Sequence, residues 1–355
     1  MTTTLVEGHT TGPAVATGPG RRGWITEWSP DDPTFWATTG RRTAHRNLIF
    51  SIMAEHVGFS VWALWSVIVV ALPPAQFPFL ADVQHKFWLV ALPNLIGALL
   101  RLPYTVAVPR FGGRTWTAVS ALLLLIPVGL CTWCVTHPGT PYWFFLLSAA
   151  TAGLGGGNFA SSMTNISFFY PERIKGTALG VNAAGGNIGL STVQLIVPVL
   201  VLLSIGVPVA TALWIPVIVV TAVCALLFMD NLQVARSTLR EQLAVARRPH
   251  AWIMSVLYIG TFGSFLGYSA AFPAVLQYTF PADQKMRVLG TALLLPLAFT
   301  GPLVGSLARP VGGWLADRRG GAPVTAAVFA AMAAGTAGAV LAADAHSLGW
   351  FLAAM

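Results

Sequence analysis

The sequence has little charge for its length. Only 9% of its 355 residues are Asp, Glu, Lys or Arg, whereas soluble domains carry roughly 25%. So few charges cannot cover the surface of a water-soluble body of this size, and 55% of the residues are hydrophobic. The composition therefore excludes a soluble enzyme, a secreted disulfide scaffold and a disordered regulator. It indicates a polytopic membrane protein.

Cysteine and the common cofactor motifs are also scarce. Cys131 and Cys134 have the spacing of a redox motif but lie in an apolar run, so we interpret them as packing residues of a helix. Residues 153–158 lack the third glycine of a dinucleotide fingerprint, and the sequence has no Walker A lysine motif. His56 and His137 stand apart from any nucleophile or metal-ligand partner. We expect no cofactor, no metal and no ATP, and an intramembrane enzyme is disfavoured.

Long apolar runs without two-residue alternation dominate the rest of the chain, and in lipid they indicate helices. We predict an all-α polytopic membrane protein. The predicted spans are residues 47–72, 87–108, 115–136, 142–169, 176–204, 207–229, 251–279, 288–316 and 323–343, followed by the start of a tenth at Ser347. The predicted organisation is a mobile cytoplasmic arm (1–45), a six-helix half (46–229), a linker (230–250) and an incomplete second half (251–355). Because residue 355 falls inside the tenth span, we expect a fragment or a truncated product.

The net charge of +8 is a signal of orientation. If the N-terminus is inside, Lys86, Lys285 and Arg287 are the basic residues of the outer loops. The inner loops then carry Arg21, Arg22, Arg41, Arg42, Arg46, Arg110, Arg114, Arg173, Lys175, Arg236, Arg240, Arg247, Arg248, Arg318 and Arg319. This asymmetry predicts a multi-pass protein of the cell (inner or plasma) membrane with a cytoplasmic N-terminus. Nucleic acid is therefore not an expected partner.

An internal repeat relates the two halves. A shift of 208 residues aligns Gly97–Arg101 with Gly305–Arg309, and Arg110–Gly113 with Arg318–Gly321. In both copies an arginine precedes a Gly-Gly pair by 11 residues. A parallel duplication of six-helix units is typical of the major facilitator superfamily, so we predict that fold, with two six-helix halves and truncation in the tenth span.

The second copy of the repeat resembles a loop motif of that superfamily, G-x-L-x-D-R-x-G. In this loop Asp317 and Arg318 are predicted to act as a structural latch, because an aspartate can cap a helix end or pair with a basic residue. The first copy, residues 109–114, lacks the aspartate.

Two arginines are predicted to lie deep in the membrane. Arg101 and Arg309 are each 11 residues from the Gly-Gly pair, which is about 16 Å along a helix. A central arginine costs at least about 2.5–3.5 kcal/mol on insertion scales. Snorkelling or an ion pair with Glu55 is one interpretation, although one acid cannot neutralise both arginines. The other is an anion site, in which two planar guanidinium forks favour a small planar monoanion.

Two segments, 153–167 and 176–189, are unusually rich in glycine, serine and asparagine for lipid. In the second, Gly176, Gly180 and Ala184 share one helix face, where small residues permit close helix approach. Tight packing alone is an alternative explanation of each glycine.

Here the sequence resembles the nitrate/nitrite porter family of the major facilitator superfamily. The resemblance runs from about residue 46 to the end. The matching stretches are Ala54–Trp62, Leu100–Tyr104, Gly157–Pro171, Gly176–Gly189 and Tyr258–Phe265.

The resemblance implies nitrate and nitrite as substrates and assigns roles to single residues. Arg101 and Arg309 match the paired arginines that clamp nitrate, and Asn187 and Tyr258 match residues that contact it. Phe59, Phe159 and Phe262 match aromatic residues that sandwich and gate the site. The hinge glycines of the first nitrate signature are Gly176, Gly180, Gly185, Gly186 and Gly189. The second signature belongs to an eleventh span, beyond residue 355.

Repulsion between the two arginines makes closure around an empty site unfavourable, which favours exchange of one anion for another. We therefore predict nitrate/nitrite antiport by rocking of the two halves. The alternative is nitrate/proton symport, for which Glu55 with its neighbour His56 is the candidate titratable group. A non-transporting nitrate sensor is a further alternative, but no signalling domain is visible in the sequence.

Overall fold

The computed structural model describes residues 24–280, 285–287 and 294–355. Helices dominate, as expected for a chain whose backbone polar groups must be satisfied within each segment. The helices are α1 (Pro33–Phe35), α2 (Arg41–Trp62), α3 (Leu64–Ala71), α4 (Val83–Phe111), α5 (Gly113–Leu123), α6 (Leu125–Thr136), α7 (Tyr142–Ala152), α8 (Leu154–Phe169), α9 (Lys175–Leu202), α10 (Val207–Ala212), α11 (Trp214–Phe228), α12 (Leu239–Ala244), α13 (Pro249–Tyr258), α14 (Ser264–Thr279), α15 (Thr300–Arg319), α16 (Gly321–Asp344) and α17 (Leu348–Ala354).

The described residues also form two short strand pairs and two π-helical turns. Strand β1 (Trp24–Ile25) pairs in parallel with β2 (Asn231–Leu232), and β3 (Lys285–Arg287) pairs antiparallel with β4 (Leu294–Pro296). The π-helical turns cover Trp36–Gly40, before α2, and Ile259–Gly263, between α13 and α14. The predicted all-α fold class is confirmed.

Seven described segments are long and apolar enough to cross a membrane, and each matches a predicted span. They are Pro33–Ala71, Val83–Phe111, Gly113–Thr136, Glu172–Leu202, Val207–Phe228, Pro249–Leu276 and Gly321–Asp344. Two more predicted spans correspond to α7–α8, which is interrupted at Gly153, and to α15, which carries Arg309 in its middle. Helix α17 begins at the position predicted for the tenth span.

The backbone supports the repeat inferred from the sequence. Gly112 and Gly320, which are 208 positions apart, end α4 and α15 with nearly the same dihedral angles, φ +87°, ψ 149° and φ +85°, ψ 153°. Glycine adopts such positive φ values without the steric penalty of other residues. In both halves the next long helix, α5 or α16, starts at the following residue.

The eighth span differs from its prediction at its start. We expected a helix from residue 288, but Leu294–Pro296 is a strand and α15 begins at Thr300, while residues 288–293 lie outside the described part of the chain. Pro302 lies in the first turn of α15, where the missing N–H of proline breaks no helical hydrogen bond.

The predicted mobile arm also differs from what the structure describes, since residues 1–23 lie outside it and residues 24–45 are folded. Trp28 is buried, donates a hydrogen bond from its indole N–H to the Phe168 carbonyl (2.9 Å), and packs edge-on against Phe169. Asp31 accepts a hydrogen bond from the Glu172 backbone N–H (2.8 Å). Aromatic packing therefore holds this segment against the α8–α9 connection.

Helix α9 lies at the centre of the bundle. It packs along α2 of the first half on one side and along α15 of the second half on the other. Helix α14 extends the contact between the halves by packing against α3 and α4. Residues from α2, α4, α9, α15 and the π-helical turn before α14 consequently converge on one region.

Candidate functional site

The two predicted membrane arginines meet at one aromatic ring. The guanidinium carbon of Arg101, on α4, lies 4.4 Å from the centroid of the Phe262 ring, and that of Arg309, on α15, lies 5.0 Å from it. Phe262 is 3% exposed and belongs to the π-helical turn Ile259–Gly263. An aromatic face attracts a guanidinium electrostatically, so this ring contacts two cations from opposite halves of the chain.

Asn187 anchors one of the two arginines. With its amide oxygen oriented toward Arg309, as the hydrogen-bond pattern requires, that oxygen accepts from Nε at 2.6 Å and from Nη2 at 3.0 Å. Asn187 is completely buried on α9. A neutral amide that occupies two donors of the fork orients the guanidinium while leaving its charge and its remaining N–H groups available for a ligand.

Aromatic rings enclose Arg101. Its guanidinium carbon lies 5.2 Å from the Phe159 centroid and 5.7 Å from the Tyr258 centroid. The rings of Phe159 and Tyr258 each stack on Phe262, at 4.8 and 5.1 Å, and Phe59 packs edge-on against Phe159 at 5.8 Å. All seven predicted substrate-binding residues therefore lie in one cluster; their roles in binding stay predictions.

Two members of this cluster were not among the predicted site residues. Trp62 lies 5.7 Å from the Arg101 guanidinium carbon, and Phe265 lies 5.0 Å from that of Arg309. Trp62 follows Phe59 by three residues on α2, and Phe265 follows Phe262 by three residues across the start of α14. This helical spacing places each pair on one face, a signal that the sequence already contained.

In the described part of the chain, Arg101 lacks a hydrogen-bond acceptor for one of its buried N–H groups. Within the described residues its buried Nε has no hydrogen-bond partner. A buried donor without a partner is unfavourable by about 1–3 kcal/mol, and more for a charged group. An oxyanion between the two arginines can accept from this donor, which is the chemistry that the arrangement supports best.

The predicted hinge glycines form two groups that face different helices. Gly176 and Gly180 face α15: a methyl group at Gly180 would lie 2.7 Å from the Arg309 carbonyl oxygen. Gly185, Gly186 and Gly189 face α2, where His56 Nδ1 is 3.0 Å from the Gly185 carbonyl oxygen and where the residues packed on them include Ile52, Glu55 and Phe59. Close backbone approach explains each group.

The predicted latch residues behave differently from each other. The Asp317 carboxylate accepts hydrogen bonds from the backbone N–H groups of Gly176 (2.8 Å) and Thr177 (2.7 Å) and from the Thr177 hydroxyl (2.6 Å). It thus caps the N-terminus of α9 from the other half of the chain. Arg318 instead lies over the Trp314 ring, with its guanidinium carbon 4.1 Å from the centroid.

A buried polar network borders the site on the α2 side. Glu55 is 0% exposed, and its Oε2 accepts hydrogen bonds from the Ser162 hydroxyl (2.7 Å) and the Asn182 amide (2.8 Å). Helix α2 begins at Arg41, so Glu55 is nearly four turns from its start.

Comparisons with known proteins identify the family of this chain. Residues 57–355 match the family model described as Major Facilitator Superfamily. The nitrate/nitrite transporter NarU of Salmonella typhimurium is 40% identical over 330 residues, covering 88% of this chain and 69% of the relative. This chain belongs to the nitrate/nitrite porter family of the major facilitator superfamily. The expected family is thereby confirmed.

Two further relatives place the porter in the same family. NarU of Escherichia coli is 39% identical over 329 residues, covering 87% of this porter and 68% of the relative. The probable nitrate/nitrite antiporter NarK2 of Thermus thermophilus is 38% identical over 323 residues, covering 85% and 70%. The porter is a membrane protein of a transporter family and not an enzyme.

Proposed function

We propose that this porter carries nitrate and nitrite across the cell membrane, exchanging one anion for the other at the Arg101–Arg309 site. The observation that carries this proposal is the meeting of two guanidinium groups from opposite halves at Phe262, with Asn187 holding one of them. The relatives named as nitrate/nitrite transporters and as a probable nitrate/nitrite antiporter support the choice of substrates.

The chemistry of the cluster fits a small planar monoanion. Guanidinium donors lie in a plane and form parallel hydrogen bonds to two oxygens of one ligand. Nitrate and nitrite present such oxygen pairs, and both carry a single negative charge. The stacked, buried rings of Phe159 and Phe262 provide flat apolar faces that exclude water around the anion and strengthen its attraction to the arginines.

Exchange follows from the charges of the empty site. Two cations packed against aromatic rings repel each other, and Phe262 compensates each of them by a cation–π contact of limited strength, about 0.5–2 kcal/mol. A bound monoanion attracts both arginines at once. Rocking of the two halves is therefore favoured with an anion bound and disfavoured without one, which couples the movement of one anion inward to the movement of another outward.

We further propose that the loops rich in arginine face the cytoplasm. The end of the bundle that carries residues 24–40, 110–114, 230–248 and 317–321, which we call the basic end, holds most of the loop arginines. Basic loops are retained on the cytoplasmic side of the membrane during insertion.

Nitrate/proton symport is a second candidate, because one observation favours it. Glu55 is a completely buried carboxyl group that packs directly on Gly186, the residue before Asn187. A protonatable group so close to an anion site is the element that proton coupling requires.

Uptake of labelled nitrate into proteoliposomes distinguishes the two mechanisms. We expect rapid uptake into vesicles loaded with nitrite and little uptake into vesicles loaded with gluconate, with or without an inward pH gradient. Arg309→Gln should abolish nitrite-dependent uptake, while Arg110→Gln, which removes an exposed arginine at the end of α4, should not. Uptake into gluconate vesicles driven by the pH gradient would select symport, and no uptake under any condition would contradict transport.

A further inference from the structure

Glu55 is an unusual residue in this membrane bundle. Among the described residues it is the one acidic side chain that is fully buried. An isolated carboxylate in an apolar interior is strongly unfavourable unless it is paired and hydrogen-bonded. Its position in α2, against α8 and α9, therefore needs a physical reason.

The hydrogen bonds around Glu55 all point toward the carboxylate. Ser162 and Asn182 both donate to Oε2, at 2.7 and 2.8 Å, and the hydroxyl of Ser51 lies 2.8 Å from that of Ser162, so it can donate in turn. A protonated carboxyl group would need an acceptor for its own hydrogen. In the part of the chain that the structure describes, Oε1 has no hydrogen-bond partner, and Oε2 already receives two donors. The two donors on Oε2 match an acceptor-only, ionised carboxylate oxygen, whereas the unpartnered Oε1 fits either protonation state.

The carboxylate packs on α9 at the residue before the one that anchors Arg309. A methyl group added to Gly186 would come within 2.6 Å of Glu55 Oε1, so the carboxylate touches the α9 backbone there. Asn187, the next residue, holds Arg309 at 2.6 Å. Glycine at position 186 is thus what permits a negative charge to lie one residue away from the arginine anchor.

This region contains two guanidinium groups, those of Arg101 and Arg309, and one carboxyl group, that of Glu55. We propose that Glu55 is a fixed negative charge of the anion site, which leaves Arg101 and Arg309 with one excess positive charge and limits the cargo to one monovalent anion. The proposal rests on the proposed function, namely that the site binds nitrate and nitrite. In this role Glu55 restricts the substrate to anions with a single charge, and it weakens anion binding enough for the anion to be released.

Removal of the charge without a change of shape tests this role. In Glu55→Gln the amide oxygen can still accept from Ser162 and Asn182, but the site gains a second excess positive charge. Isothermal titration calorimetry on the purified full chain should show nitrate bound at least about tenfold more tightly, because in a medium of effective dielectric constant about 20 one unit charge contributes about 1.4 kcal/mol even from about 12 Å away. The variant should also bind sulfate, a divalent anion that we expect the unaltered porter not to bind, and should exchange nitrate for nitrite more slowly.

Two variants serve as controls. Glu55→Asp keeps the charge and should keep the preference for nitrate over sulfate. Asp344→Asn changes the net charge of the chain equally at the end of α16, far along the chain from the site, and should leave nitrate affinity unchanged. Equal or weaker nitrate binding by folded Glu55→Gln, or sulfate binding by the unaltered porter, would overturn the proposal. Absence of nitrate binding by the unaltered porter would instead contradict the proposed function.

A measurement on the unaltered porter covers the case in which Glu55→Gln does not fold. A fixed charge takes up no proton when the anion binds. Nitrate added to the porter in weakly buffered solution between pH 6 and 8 should therefore leave the pH unchanged, as read by an indicator dye. Uptake of a proton with each nitrate would show that the carboxyl group is a proton carrier and would overturn the fixed-charge assignment.

Discussion

At the scale of single residues, the site depends on the geometry of its cations as much as on their charge. Arg101 lies among four aromatic rings, with its guanidinium carbon 4.4–5.7 Å from their centroids. A planar guanidinium stacks on such rings and still presents two parallel donors to an anion, whereas an ammonium group does neither.

Replacement of Arg101 by lysine tests this distinction. Arg101→Lys keeps the positive charge but loses the donor fork, so we expect nitrate affinity to fall by about tenfold, or about 1.4 kcal/mol. Isothermal titration calorimetry measures the change directly. Arg110→Lys, at an exposed position of the same helix, is the matched control and should bind nitrate normally. Unchanged affinity in Arg101→Lys would exclude bidentate recognition by this residue.

Asn187 tests the requirement for a neutral anchor. Asn187→Asp has nearly the same shape, but its carboxylate would lie within hydrogen-bond distance of Arg309 Nε. The resulting ion pair would neutralise one arginine of the site, so we expect nitrate binding to weaken by about 100-fold or more. Asn187→Ala, which removes the anchor without adding charge, should have a smaller effect of about tenfold. If the aspartate variant binds nitrate as well as the alanine variant, neutrality of the anchor is not what matters.

At the scale of elements, α9 lies between the two halves of the chain, in contact with α2 and α15. Its residues 185–189 are joined to α2, where the Ser60 hydroxyl donates to the Gly189 carbonyl oxygen (3.0 Å), while Gly176 and Gly180 face α15. We therefore expect Asn187 to move together with the first half of the chain and Arg309 to move with the second. We infer that rocking changes the Asn187–Arg309 contact.

Gly180 is a position where a larger side chain would disrupt the close contact between α9 and α15. In Gly180→Ala the new methyl group would meet the Arg309 carbonyl oxygen at 2.7 Å and the backbone of Pro310 at 3.2 Å. Backbone atoms cannot yield as a flexible side chain can, so α15 must shift and displace Arg309. We expect the rate of nitrate/nitrite exchange in proteoliposomes to fall by about tenfold or more.

The matched control is Gly267→Ala on α14, where no heavy atom lies within 4 Å of the added methyl group. This change should leave exchange intact and make the helix slightly more stable, because alanine is favoured over glycine in helices by about 1 kcal/mol. Normal exchange by Gly180→Ala would refute the close contact with α15 as a functional requirement.

These elements also show what could be predicted from the sequence. Most spans were predictable within a few residues because lipid requires long apolar helices, and only the starts of the first and eighth spans differ by more. The paired arginines were predictable because the repeat places them at equal depths. The fold of residues 24–45 was not predictable, because it depends on contacts of Trp28 with Phe168 and Phe169, about 140 residues further along the chain. The π-helical turn at Ile259–Gly263 was equally hidden, because its sequence is compatible with a regular helix.

At the scale of the whole molecule, the distribution of basic residues between the two ends predicts how the porter is oriented in the membrane. The basic end carries exposed arginines on the linker and on the loops after α4 and α15, whereas the loop between α3 and α4, at the opposite end, is dominated by prolines and apolar residues. This asymmetry predicts the orientation of the protein in the membrane.

Single cysteines at the two ends test the orientation. Gln76 is exposed in the loop between α3 and α4, and Ser237 is exposed in the linker at the basic end. Because basic loops stay cytoplasmic, a membrane-impermeant maleimide applied to intact spheroplasts should label Gln76→Cys and should label Ser237→Cys only after permeabilisation. The unaltered porter serves as the background, since Cys131 and Cys134 are buried and Cys224 is half-buried. Labelling in the reverse order would place the N-terminus outside and would contradict the proposed orientation.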